Sequence, residues 1–179
     1  GTATDATTPP ATPTLQGMAA TANLSKNHAL GSNIDATVTP TWNSGAGFTP
    51  IGNAANKFTG AFDGLGHTIS KLTINTPTAS NVGLFGYTVS GSTIRNVGQV
   101  GGSMSGQNSV GGLVGNNGST ITNSYATGTV VSSSMGNYAG GLVGGNTGIV
   151  GNSYAKCNVS GNYNVGGLVG NNGGTVNNS

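Results

Sequence analysis

The sequence predicts an all-β fold, a right-handed parallel β-helix of about five to six coils of short strands with an extended N-terminal arm. Three observations predict it: a recurring phrase at near-constant spacing, a composition poor in helix formers, and very little charge. The phrase "GGLVGNNGSTITNSYATGTV" (Gly111 to Val130) returns as "GGLVGGNTGIVGNSYAKCNV" (Gly140 to Val159) and as "GGLVGNNGGTVNNS" (Gly166 to Ser179). With 34 glycines in 179 residues and only five basic and three acidic side chains, helix is disfavoured nearly everywhere. A net charge of +2 with regularly spaced Leu, Val and Ile argues against disorder, which goes with high net charge.

Register follows from the apolar anchors. The intervals from Leu84 to Leu113 and from Leu113 to Leu142 are equal, and that from Leu142 to Leu168 is slightly shorter. Ile121, Val150 and Val176 stand eight residues after the last three of these leucines, and Ile94 stands ten after the first, so the turn varies while the strands keep step. Two residues further on, Asn96, Asn123, Asn152 and Asn178 form a second series, read as an amide-to-amide ladder. A lone unit of this kind has nothing against which to bury its single apolar row. Stacked in register at about 4.8 Å, successive coils satisfy one another's backbone and turn Leu84, Leu113, Leu142, Leu168 and Ile94, Ile121, Val150, Val176 into interior ladders. A β-propeller is excluded because its blades need about 40 residues each.

The elements divide at two points. Residues 1–29 open with "GTATDATTPPATPT" and read as a Thr/Pro-rich extended arm and lead-in. Residues 30–75 are read as the N-terminal cap and first coils, in which Trp42, Phe48, Phe58 and Phe62 fill and close the end of the helix. Here Ile69, roughly one repeat before Ile94, is aligned with it, which sets Lys71 in the asparagine series. Residues 76–179 hold the repeats. The chain stops after Asn178 where earlier copies continue into "YATGTV" or "YAKCNV", so the last coil is expected to be incomplete, as in a truncated chain or a piece of a longer one.

The phrases "VGGLVGNNGSTITNSYATGTV", "FTGAFDGLGHTISKLTIN" and "VGLFGYT" resemble the GLUG-type repeat of large bacterial secreted proteins, among them filamentous-haemagglutinin-like exoproteins of two-partner secretion systems and other surface adhesins. The resemblance covers roughly residues 30–179. It implies a secreted or surface-attached β-helical stalk serving adhesion, aggregation or biofilm, and it implies no catalytic residues.

The chemistry-bearing residues agree with a non-enzymatic reading. Glycoside chemistry on a β-helix requires clustered carboxylates, and this chain has only Asp5, Asp35 and Asp63 and no glutamate. Asp5 falls in the arm, and "FDGLG" reads Asp63 as a turn residue. His28 and His67 are too few for a metal site, and His67 is read as making a capping hydrogen bond. No G-x-S-x-G elbow occurs. The "GGLVGNNG" glycines lack the following helix that a phosphate loop requires. Calcium-binding rolls need aspartate in every turn, and flat ice-binding threonine rows break where Thr127 and Thr129 give way to Lys156 and Asn158. The low charge leaves no field for nucleic acid, and no apolar run approaches the length of a membrane span. No cofactor is expected.

Two surface features remain. If Leu113 points inward, strict alternation turns Phe85, Val114, Val143 and Val169 into an outer apolar row suited to self-association; if the flanking glycines bend the backbone, both residues of each pair face the core. Tyr125 and Tyr154 stack one coil apart, and with Tyr138 and Tyr163 they would give a glycan-binding face if exposed along one side. Cys157 takes the place of Gly128 one unit earlier, as a half-buried thiol. The expectation is an extracellular or cell-surface structural module whose partners are copies of itself, end to end or side by side, or the surface of a host or neighbouring cell. A secreted glycan binder using surface tyrosines is the alternative.

Overall fold

The computed structural model describes residues 14–133 and 135–179. Residues 1–13, and with them Asp5 and most of the Thr/Pro stretch, lie outside the described residues. The fold is an all-β parallel solenoid without an α-helix among the described residues; helical geometry is limited to short 3-10 turns at 16–19, 21–23, 39–41 and 43–45. A full coil carries four strands. In the coil that opens at Val110 they are Val110–Gly111, Val114–Asn117, Thr120–Thr122 and Tyr125–Ser132, and each lies parallel to its copy in the next coil. The pairing is position by position. Val110 faces Ala139, Val114 faces Val143, Ile121 faces Val150 and Tyr125 faces Tyr154.

The repeated phrase is explained at the corner it builds. Gly111 and its copies Gly140 and Gly166 have no room for a side chain, because a Cβ there would overlap the carbonyl oxygen of Val114, Val143 or Val169 three residues on. Gly115 and Gly144 are pressed against the backbone of the preceding coil, at Asn81–Val82 and Ser109–Val110. Between the glycines the chain turns so tightly that neighbouring residues lie on two walls and both point inward. Leu84, Leu113 and Leu142 are fully buried, and so are Phe85, Val114 and Val143, while Leu168 and Val169 are half-buried at the end of the stack. The Leu113 amide donates to the Leu142 carbonyl at 3.0 Å, and the Leu142 amide to Leu168 at 2.9 Å. Strict alternation therefore fails at the corner, and the row Phe85, Val114, Val143, Val169 is core instead of a surface stripe.

The second column runs Phe62, Ile94, Ile121 and Val150, all buried, and Val176 continues it in register but is exposed instead of interior. Ile94 thus faces Phe62, and not Ile69, which pairs with Ile34 and Gln99 on another face. The turn Gly64–His67 is two residues longer than its counterparts at 96–97 and 123–124, which puts the first strands out of step with the later repeats. Gly64, not Lys71, therefore precedes Asn96 in its column; the Gly64 amide donates to the Arg95 carbonyl just before it.

One wall has six strands, but the Leu-Val wall has only four: Phe85–Tyr87, Val114–Asn117, Val143–Asn146 and Val169–Asn172. The solenoid accordingly has about four coils, fewer than the five to six predicted from spacing. Upstream of Phe85 the chain lays strands on two walls and closes the others with 3-10 turns and single bridges such as Ile51 to Phe85. Phe58 and Phe62 sit 5.0 and 5.2 Å from the Phe85 ring, and with Trp42 and Phe48 they are buried in this end. Leu15, Met18 and Leu24 join them, so the lead-in packs onto the core from Leu15 onward instead of extending away.

Removing three heavy atoms from the middle of the leucine stack leaves a cavity that the backbone ladders on both sides prevent from collapsing. Leu142→Ala is expected to lower the unfolding free energy by about 2–5 kcal/mol in urea titration. Leu168→Ala, at the half-buried end of the same stack, should cost clearly less.

Candidate functional site

The two described carboxylates, Asp35 and Asp63, are each engaged close to their own turn. Asp63 ends the strand Ala61–Asp63, and the Leu65 amide of the following turn, the Asn96 side-chain amide and Arg95 Nε all donate to its carboxylate. These donors hold the carboxyl below its ordinary range, the Leu65 amide contributing most. Asp35 is exposed and accepts from the hydroxyl and amide of Thr37, which likewise lower its pKa. The two carboxylates are thus tied into separate turns. His67 meets Asn33 Oδ1 at 3.2 Å rather than Asp63, and His28 meets the Asn23 carbonyl at 2.9 Å. Among the described residues no three His, Cys, Asp or Glu side chains cluster as metal ligands.

What the fold does build is polar columns along the axis. Asn96, Asn123, Asn152 and Asn178 all adopt left-handed backbone angles, with φ of 55°, 50°, 49° and 51°. Asparagine is among the few residues with a side chain that tolerate this conformation, so the corner selects it. Their amides are only loosely linked: Asn123 Nδ2 donates to Asn96 Oδ1 at 3.4 Å, and Asn96 to Asp63. This series serves the turn more than it serves as a ladder.

The true amide ladder lies elsewhere, in the last residue of each Leu-Val wall strand. The hydroxyl of Thr88 donates to Asn117 Oδ1 at 2.9 Å, Asn117 Nδ2 to Asn146 Oδ1 at 2.8 Å, and Asn146 Nδ2 to Asn172 Oδ1 at 2.8 Å. Asn117 and Asn146 are buried, and each also bridges the amide and carbonyl two residues on. A serine column runs beside it: the Val97 amide donates to Ser124 Oγ, the Ser124 amide to Ser153 Oγ and the Ser153 amide to Ser179 Oγ. No buried side-chain nitrogen or oxygen among the described residues lacks a partner. Sequence reasoning passed over this ladder, although Asn117, Asn146 and Asn172 recur at the same intervals as Leu113, Leu142 and Leu168.

Tyr125 and Tyr154 stack face to face, centroids 4.9 Å apart and planes at 2°. Gly98 occupies the same column one coil earlier, and a Cβ there would overlap the Tyr125 ring. Tyr125 is therefore sandwiched, with its ring faces covered. Tyr138 and Tyr163 belong to a different wall, and Tyr163 is in register with Asn137, not with Tyr138. The four tyrosines do not form one exposed face. Cys157 pairs with Gly128, is half-buried, and its thiol donates to the Gly141 carbonyl at 3.2 Å; burial raises its pKa.

The last rung of the described residues continues every column. Its strands Tyr154–Ser160, Tyr163–Gly166, Val169–Asn172 and Thr175–Asn177 each pair on one side only among the described residues. Tyr154 (48% exposed), Tyr163 (58%), Val165 (46%) and Val176 (37%) lie on it.

Comparison with known proteins agrees with this architecture in part. The family model of the GLUG motif matches residues 106–131. Over 106 residues, 58% of this chain, the sequence is 44% identical to halomucin of Haloquadratum walsbyi (strain DSM 16790 / HBSQ001). The chain spans about 1% of the length of that relative. No solved structure matches. Among the described residues no helix is long and apolar enough to cross a membrane.

Truncating Asn146 removes at once the acceptor of the buried Asn117 side-chain amide and the donor to Asn172, and leaves the Gly148 amide and carbonyl only their backbone partners. Asn146→Ala is expected to destabilise the fold by about 2–3 kcal/mol, as for buried polar groups left unpaired. Asn123→Gly, at a corner that glycine also satisfies, should stay within about 0.5 kcal/mol in the same thermal melts.

Proposed function

We propose that this chain is a structural, non-enzymatic module of an extracellular surface adhesin or filament, a stiff right-handed β-solenoid rod that mediates adhesion or self-association. The observation that carries the reading is the register of four walls, in which each coil offers the next the same backbone edge and the same side chains. The GLUG motif and the likeness to halomucin support a surface or secreted structural repeat protein. A filamentous-haemagglutinin-like exoprotein remains the finer form of the proposal, carried by the repeat phrases. Both described carboxylates are occupied in turns, which supports a passive role.

Association is proposed to run end to end, coil upon coil, with a second copy of the chain as occupant, because a rung such as that of residues 154–177 offers it the same backbone edge and side chains that each coil offers the next. Lateral association through this row is not part of the proposal, because Phe85, Val114 and Val143 are buried within the solenoid and Val169 half-buried. Nothing on this rung repels a second copy except Lys156.

Sedimentation and negative-stain microscopy of the purified chain test this reading. Concentration-dependent end-joined particles are expected, and Val165→Lys with Val176→Lys should reduce them to single particles. Isolated particles at every concentration for the parent chain would refute the association.

A further inference from the structure

One surface groove is unused by the rod reading. It lies at the corner between the Leu-Val wall and the six-stranded wall, where each of the last three coils turns in two residues: Gly118–Ser119, Thr147–Gly148 and Gly173–Gly174. In the coil before them the same corner is longer, and Val89–Ser92 forms a raised turn closed by Ser92 Oγ donating to the Val89 carbonyl at 2.6 Å. The step between long and short turns leaves a groove of about 670 Å³ that runs along the axis and is walled at one end.

Among the described residues the wall carries the only cation lining the groove. Lys57 reaches this end from another part of the chain because the Phe58 amide pairs with the Tyr87 carbonyl at 2.9 Å. Its ammonium stands 4.8 Å from the centroid of the Tyr87 ring. Among the described residues it has no ion pair, and no carboxylate lines the groove. The rest of the lining is hydroxyls, glycine backbone and the side chains of Val89 and Ile149; Thr120, Ile149 and Thr175 stand in register at successive rungs, with Thr147 on the turn beside them.

From this geometry we infer a binding site for a linear acidic polysaccharide, with a carboxylate- or sulfate-bearing sugar at Lys57 and Tyr87 and the following sugars along the column Thr120, Ile149 and Thr175. A pyranose is about as long as the rung spacing of roughly 4.8 Å, so successive sugars meet Thr120, the exposed Ile149 side chain and Thr175 in turn, which are in register with one another. A peptide fits poorly, because strand addition needs a free backbone edge and the corner amides are already engaged: Gly118 with the Thr88 carbonyl, Thr147 and Gly148 with Asn117. Nucleic acid would need several cations to neutralise its phosphates, and the groove has one. This site is independent of the rod reading and of the tyrosine stack.

The test is a backbone-amide NMR titration with a (1→4)-linked hexagalacturonate, and with cellohexaose as the uncharged probe. The inference expects shifts confined to the groove at Gly118, Thr120, Thr147, Gly148 and Gly174, and weaker binding of cellohexaose. Lys57→Met should weaken hexagalacturonate binding about tenfold, as for loss of a charge-assisted hydrogen bond. Thr147→Trp, at an exposed position, should block the groove for both probes, whereas Lys156→Met on a different wall should change nothing. Unchanged thermal melts show that the variants are folded. No shifts at millimolar probe, shifts outside the groove, or binding indifferent to Lys57→Met and Thr147→Trp would overturn the site; particle association is untouched by any of these results.

Discussion

Everything in this structure depends on the hydrogen bonds that one coil donates to the next. The strands are only two to eight residues long, and a strand of that size has no stability alone. Its amides and carbonyls point along the axis, so each is satisfied only if the neighbouring coil presents the complementary group at the same height. That requirement forces like positions over like, and the repeats in the sequence are its consequence. Leucine over leucine and asparagine over asparagine follow once the backbone is in step.

The glycines and the polar columns are the two means by which the sequence meets that constraint. A corner that brings two consecutive side chains into a narrow interior must pass very close to its own carbonyls and to the coil beside it, and only a residue without a Cβ fits there, as Gly111, Gly140 and Gly166 show. Just beyond the corner the backbone must turn again, leaving an amide and a carbonyl pointing inward. Asn117 and Asn146 bind both and pass the remaining hydrogen bond to the next coil. A charged side chain in such a column would stand about 4.8 Å from its own copy, and like charges at that spacing repel. The scarcity of charge thus follows from the stacking itself.

How far the sequence could be read depends on the same geometry. The columns Leu113–Leu142 and Ile121–Val150 were legible because equal spacing maps directly onto register. The direction of Val114 was not, since alternation holds only along a straight strand and the corner breaks it. Phe62 was missed as the partner of Ile94 because the Gly64–His67 turn changes the spacing before the regular repeats begin, and Ile69 offered a plausible apolar substitute. The coil number was overestimated for a related reason: the early turns supply strands to some walls and only cap the others. Of the polar columns, the exposed Asn96–Asn123 series stood out by position, whereas the buried one at Asn117 was hidden among neighbouring asparagines that look identical in sequence.

Whether homologous positions sit in adjacent coils can be measured without reference to any function. Nuclear Overhauser contacts between the methyl groups of Leu113 and Leu142, and of Ile121 and Val150, test it most directly in the chain in solution. The stacked solenoid predicts strong cross-peaks for both pairs, together with amide contacts between Leu113 and Leu142. Their absence, or a pattern of contacts linking strands adjacent in sequence as in antiparallel hairpins, would contradict it.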